Sequence, residues 1–147
     1  MDVVASVEVP VSVEKLFAYV ADLANYPSWL EFVHKVDAIS DAGDSDASWQ
    51  VELRARLGVL ARSKRLRMTR TICEAPRLVV FERREQDSRR HAEWTLRATV
   101  SATATGAKLE TNLHYSGSLF TGGLLERALT EQIATGRERL IRQLSAK

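Results

Sequence analysis

Apolar and polar positions along the chain fall into three stretches with different periods. Val3-Val4-Ala5-Ser6-Val7-Glu8-Val9 is a β-rich run closed by Pro10. Ser12 stands where a helix N-cap belongs, because its hydroxyl can accept a bond from a free amide in the first turn. Leu16, Phe17, Val20 and Leu23 follow at helical spacing and form one apolar face. Asn25-Tyr26-Pro27 interrupts that helix, and Pro27 can open a second short turn carrying Trp29 and Leu30. From about residue 32 the period falls to two.

In that second stretch, Trp49, Val51, Leu53, Ala55 and Leu57 alternate with Gln50, Glu52, Arg54 and Arg56, the mark of a strand with one apolar face. An apolar tip, Leu57-Gly58-Val59-Leu60, leads into a strand with Leu66, Met68 and Ile72 on one parity. Arg70 breaks the pattern by sharing that parity. Ala75-Pro76-Arg77 makes a turn, and Leu78-Val79-Val80-Phe81 is apolar on both parities, so its facing stays open. Trp94, Leu96, Ala98 and Val100 alternate again, and after Thr105-Gly106-Ala107 so do Leu109, Leu113 and Tyr115. The third stretch returns to helical spacing: Leu124, Leu125, Ala128, Leu129, Ile133, Leu140, Ile141 and Leu144.

This order predicts an α+β fold. Consecutive strands joined by short turns form an antiparallel sheet of about seven strands. Two short helices follow the first strand, and the long C-terminal helix must bury its stripe against one sheet face. Gly136 stands inside that helix, where it costs about 1 kcal/mol relative to Ala. Either the backbone approaches the sheet closely there, or space is left for something else. A curved sheet gripping one helix tends to enclose a hollow, and apolar hollows with a few polar groups are the usual small-molecule sites.

Composition narrows the class. The length of 147 residues suits one domain, so residues 1–147 are read as a single unit. A net charge of +2 does not force a nucleic-acid partner. The one cysteine, Cys73, excludes an intrachain disulfide. The N-terminal residues lack the basic and apolar regions of a secretory signal, and no apolar run reaches the length of a membrane span. A cytoplasmic protein is expected.

The residues Val7-Glu8-Val9-Pro10-Val11-Ser12-Val13-Glu14-Lys15-Leu16-Phe17 carry a resemblance. So do Val20-Ala21-Asp22-Leu23-Ala24-Asn25-Tyr26-Pro27-Ser28-Trp29, then Pro76-Arg77-Leu78, Trp94-Thr95-Leu96 and Tyr115-Ser116-Gly117. In this order they resemble the SRPBCC superfamily of START-like, helix-grip proteins, nearest to the polyketide cyclase/dehydrase and lipid-transport group. The resemblance covers nearly the whole chain. It implies a curved sheet wrapped around the C-terminal helix, and binding of lipids, sterols, hormones or polyketides, with cyclisation or aromatisation in some members. Tyr26-Pro27-Ser28-Trp29-Leu30 also resembles a ubiquinone-binding, ribosome-associated toxin branch.

The expected partner is an apolar small molecule, lipid-like or polyketide-like, held between sheet and C-terminal helix. Its expected walls are Trp29, Trp49, Leu53, Met68, Phe81, Trp94, Tyr115, Leu125, Leu129 and Ile133. A cyclase or aromatase in the same cavity is the alternative. It would need a proton shuttle and an oxygen anchor, and His34, Arg70 and Tyr115 are the candidates. Against these stand plainer roles: His34 as an exposed edge residue, Arg70 escaping to solvent, Tyr115 in a structural hydrogen bond. A third reading is a ribosome- or RNA-bound protein using the outward Arg54, Arg56, Arg65 and Arg67, although a solvated charged face is the commoner outcome and nucleic acid is not the expected partner. The apolar tip at Leu57–Leu60 suits a cavity lid, a transient membrane contact, or plain packing over the helix end. No metal or other cofactor is expected: three dispersed histidines and one cysteine do not make a site, and Asp41-Ala42-Gly43-Asp44-Ser45-Asp46 lacks the spacing and terminal Glu of a calcium loop. The sequence does not set the oligomeric state.

Overall fold

A computed structural model of the chain describes residues 2–40, 46–57, 60–116 and 124–145, with the backbone alone for 55–57, 60–62 and 124–126. Strand β1 (Asp2–Val9) leads into helix α1 (Val13–Val20) and a 3₁₀ helix (Leu23–Ser28). Six strands follow: β2 (Val33–Ile39), β3 (Ser48–Leu57), β4 (Leu60–Glu74), β5 (Leu78–Arg83), β6 (Trp94–Ala102) and β7 (Ala107–Tyr115). Helix α2 (Leu124–Ser145) ends the described chain. The seven strands form one antiparallel sheet in the order β1-β7-β6-β5-β4-β3-β2. The helix-grip architecture expected from the pattern is the one observed.

Ser12 caps α1 by accepting from the Lys15 amide at 3.2 Å. The helix stops at Val20, earlier than the run to Leu23 suggests. Asp22 starts a new element by accepting from the Ala24 amide at 2.9 Å. Asn25-Tyr26-Pro27 therefore lies inside the 3₁₀ helix instead of interrupting α1, and Trp29 is its C-cap. Leu23 and Tyr26 are its buried side chains.

The alternation in β4 has a break that the periodicity hides. Arg70 pairs with Phe81, but Ile72 pairs with Val80, so a bulge between them inserts one extra residue. Arg70 keeps the inward face with Met68. Ile72, expected inward, turns out to solvent and is 39% exposed. The same register settles β5. Val79 and Phe81 join the central core, while Leu78 and Val80 are buried outside it.

Inside the sheet the core divides into two parts. Leu16, Phe17 and Val20 of α1 and Leu140 and Leu144 of α2 are buried in the central cluster. Tyr26, Trp49 and Phe81 interlock there edge to face, with ring centroids 6.3 Å (Tyr26–Phe81) and 5.6 Å (Trp49–Phe81) apart. Such contacts add to the area that the rings bury. Gly136 explains itself at the crossing of α2 and the 3₁₀ helix. A Cβ built there would fall inside van der Waals contact of the Trp29 carbonyl oxygen and 3.4 Å from the Trp29 ring. The close approach is real, but its partner is Trp29 and not the sheet. Gly136→Ala should therefore destabilise the protein by about 1–3 kcal/mol through overpacking, despite alanine's better helix propensity. Urea unfolding measures it; an alanine variant as stable as the parent would refute the crossing.

Candidate functional site

Between the sheet, the 3₁₀ helix and α2 lies a cavity of about 80 Å³. Its walls come from nearly every layer: Val3 of β1, Leu23 and Tyr26 of the 3₁₀ helix, Leu53 of β3, Met68 of β4, Trp94 of β6, Thr111 of β7, and Leu129 and Ile133 of α2, among others. Inward parity places the strand residues, since successive side chains alternate between faces. Cross-strand pairs then bring them side by side, as Val51↔Leu66 and Leu96↔Leu113 do.

The polar content of this wall is small. Tyr26 is buried, and its hydroxyl donates to the Val20 carbonyl at 2.9 Å. Burial pushes its phenol well above the usual tyrosine pKa, so it stays un-ionised. The Thr111 hydroxyl donates to the Ala5 carbonyl at 3.3 Å. Trp94 stacks on Tyr115 with ring centroids 5.1 Å apart and planes at 24°. Its indole nitrogen is buried and has no hydrogen-bond partner among the described residues.

Of the expected wall residues, Leu53, Met68, Trp94, Leu129 and Ile133 line the cavity. Trp29, Trp49, Phe81 and Tyr115 are buried beside it in packed core and do not line it. The Leu125 side chain lies outside the described residues. Lining residues that the pattern did not single out include Val3, Leu23, Tyr26, Phe32 and Thr111. Thr111 shares the inward parity of Leu109 and Leu113, which was the available signal.

The three polar candidates are dispersed. His34 sits on β2, a sheet edge, with its side chain 44% exposed and Nε2 3.7 Å from the Glu52 carboxylate. It is not part of the cavity wall. Arg70 is neither in the cavity nor lost to solvent. Its Nη1 donates to the Ala21 carbonyl at 2.8 Å, at the C-terminal end of α1, and its guanidinium lies 5.8 Å from the Trp49 ring centroid. A cation at a helix C-terminus meets the negative end of the helix dipole. Tyr115 is buried against Trp94.

Among the described residues the arginine face is not a continuous basic patch. Arg54 and Arg65 share Glu52 with His34, at 3.7 Å for Arg54 and 3.3 Å for Arg65. Arg67 is buried and donates to Thr69 Oγ1 and the Arg84 carbonyl. The Arg56 side chain, the tip residues Gly58 and Val59, and residues 41–45 of the acidic loop lie outside the described residues. A separate polar cleft runs beside the β5–β6 loop. There Arg83 donates to Glu85 at 2.7 Å, and His91 Nε2 lies 2.7 Å from Asp87. The hydrogen bond to His91 holds the Asp87 carboxyl below its ordinary pKa. Among the described residues no group of His, Cys, Asp and Glu is placed to hold a metal ion, and no helix is long and apolar enough to cross a membrane.

The family model for polyketide cyclase / dehydrase and lipid transport matches residues 1–145. The chain belongs to this family. Its fold is shared with solved members of the START/SRPBCC group. A START superfamily protein from Mycobacterium smegmatis superposes with a TM-score of 0.71 at 13% identity, over 99% of this chain and 97% of that one. The protein TTHA0849 from Thermus thermophilus gives a TM-score of 0.73 at 14% identity, over 99% and 98%. No match was found among curated proteins. In this family member Arg70 ties β4 to α1 outside the cavity. Arg70→Met should cost about 1.5–3 kcal/mol in urea unfolding, the range for a hydrogen bond to a charged group. Affinity for a cavity ligand should stay within about twofold, since the wall is untouched; a larger loss would bring Arg70 into the site.

Proposed function

We propose that the chain, acting as one unit, binds an apolar small molecule, lipid-like or polyketide-like, in the cavity between the sheet and α2. The observation that carries this reading is the wall itself. Its polar side chains among the described residues are Tyr26 and Thr111, whose hydroxyls already donate within the protein, and Trp94, whose indole nitrogen is buried. Burial of ligand surface drives binding at such a wall, at about 25 cal/mol per Å² before ordering costs. Sites that enclose drug-sized ligands run to about 300–1,000 Å³. A cavity of about 80 Å³ therefore takes a small ring or a short chain. A larger ligand enters by displacing unbranched Met68 and the surrounding leucines. Membership of a family described by polyketide cyclisation, dehydration and lipid transport supports the same ligand class.

Binding is favoured over cyclase or aromatase chemistry by what the wall offers. Proton transfer needs a titratable group within reach of the substrate. Among the described residues the wall has one, Tyr26, and its proton is committed to Val20. The ribosome or RNA reading has less support, because Arg54 and Arg65 share a carboxylate and Arg67 is buried.

Ile133→Trp tests the placement by filling the cavity from α2. Affinity for naphthalene, followed by its own fluorescence, should fall about tenfold or more, the equivalent of about 1.4 kcal/mol. Far-ultraviolet circular dichroism should be unchanged. Unchanged affinity in a folded variant would put the ligand elsewhere.

A further inference from the structure

The cavity surface is almost wholly apolar, and the reason lies in where its polar neighbours are held. On the wall, the Tyr26 hydroxyl donates to the Val20 carbonyl and the Thr111 hydroxyl to the Ala5 carbonyl. The Trp94 indole nitrogen is buried, so its ring meets the cavity through carbon alone. Two arginines share the inward parity of β4 and β5 and are drawn away from the hollow. Arg83 lies directly opposite the wall residue Met68, but its guanidinium donates to Glu85 at 2.7 Å and to the Ala92 carbonyl at 3.1 Å. Arg70, opposite Phe81, donates to the Ala21 carbonyl. Lys64, opposite Leu53 on β3, is half-buried. None of these three cations lines the cavity.

We propose that the part of the ligand held in this cavity is a hydrocarbon moiety, an alkyl chain or an aromatic ring without polar substituents, and that the site selects by excluding oxygen and nitrogen atoms. This rests on the cavity being the binding site. It separates the two ligand classes named together above: the chain of a lipid is accepted, and an oxygen-rich polyketide chain is not. A hydroxyl or carbonyl carried into the cavity gives up its water partners and gains none, which opposes its entry. Any polar end of a lipid therefore stays outside the hollow.

2-Methylnaphthalene and 2-naphthol differ by a methyl against a hydroxyl of similar size, and each is followed by its own fluorescence. Octanol can hydrogen-bond the hydroxyl and the cavity cannot. The parent protein should therefore prefer 2-methylnaphthalene about tenfold or more beyond the preference that octanol shows over water. Met68→Gln exchanges one unbranched side chain for another of similar length and puts an amide on the wall. It should narrow the protein's preference about fivefold, the size of one neutral hydrogen bond, with far-ultraviolet circular dichroism unchanged. A parent preference no greater than octanol's, or one that Met68→Gln leaves unchanged, overturns hydrocarbon selection. The cavity itself stands in that case if Ile133→Trp still abolishes binding of 2-methylnaphthalene. Failure of both ligands to bind the parent overturns the cavity reading and this inference with it. If Met68→Gln does not fold, the parent's preference measured against octanol decides.

Discussion

The contact of Gly136 with the Trp29 carbonyl sets how near α2 lies to the rest of the molecule. Three further bonds hold the helix at that crossing. The Phe32 amide donates to Gln132 Oε1 at 2.7 Å, Arg137 Nε donates to the Glu8 carbonyl at 2.8 Å, and Arg139 reaches Glu31 at 3.3 Å. On the C-terminal side of the crossing, Leu140 and Leu144 sink into solid core. On the N-terminal side, Leu129 and Ile133 face the cavity. A bulkier residue at 136 would push the helix outward and alter both halves, because packed interiors transmit small displacements.

The two halves differ in what fills them. The α1 side chains and the edge-to-face rings of Tyr26, Trp49 and Phe81 occupy one region, braced by Arg70 between Ala21 and Trp49. The other region lacks so large a filling and remains hollow. Among the described residues no charged side chain lines the cavity. Glu52 gathers His34, Arg54 and Arg65 on the outer face, and Glu85 receives Arg83 beside the β5–β6 loop.

Alternating side chains made most strands legible in the sequence, and Ser12 and Gly136 were legible because each has a specific physical cost or use. The β4 bulge was not, since a single extra residue leaves composition unchanged while reversing every facing beyond it. The end of α1 was misplaced because Leu23 continues the apolar spacing, and the Asp22 cap outweighs it locally. For the site, periodicity supplied the inward face but not the depth along each strand. Trp49 and Phe81 have the right face and sit where the core is solid. Leu53, further along β3, and Trp94, at the start of β6, reach the hollow. The wall contributed by β1 and the 3₁₀ helix depends on how those elements fold back over the sheet, which no local pattern encodes.

The pairing of β1 with β7 has a consequence for how the chain is made. Asp2 lies opposite His114 and Val9 opposite Ala107, so the earliest of these strands to leave the ribosome finds its neighbour only after more than two-thirds of the chain has been synthesised. Contacts this distant in sequence slow folding, because the chain entropy of closing the loop is lost before the pairing repays it. Until β7 emerges, the apolar residues Val3, Val7 and Val9 have no sheet to join. During translation the nascent chain therefore carries an unpaired, hydrophobic edge, the kind of surface that aggregates and that chaperones protect.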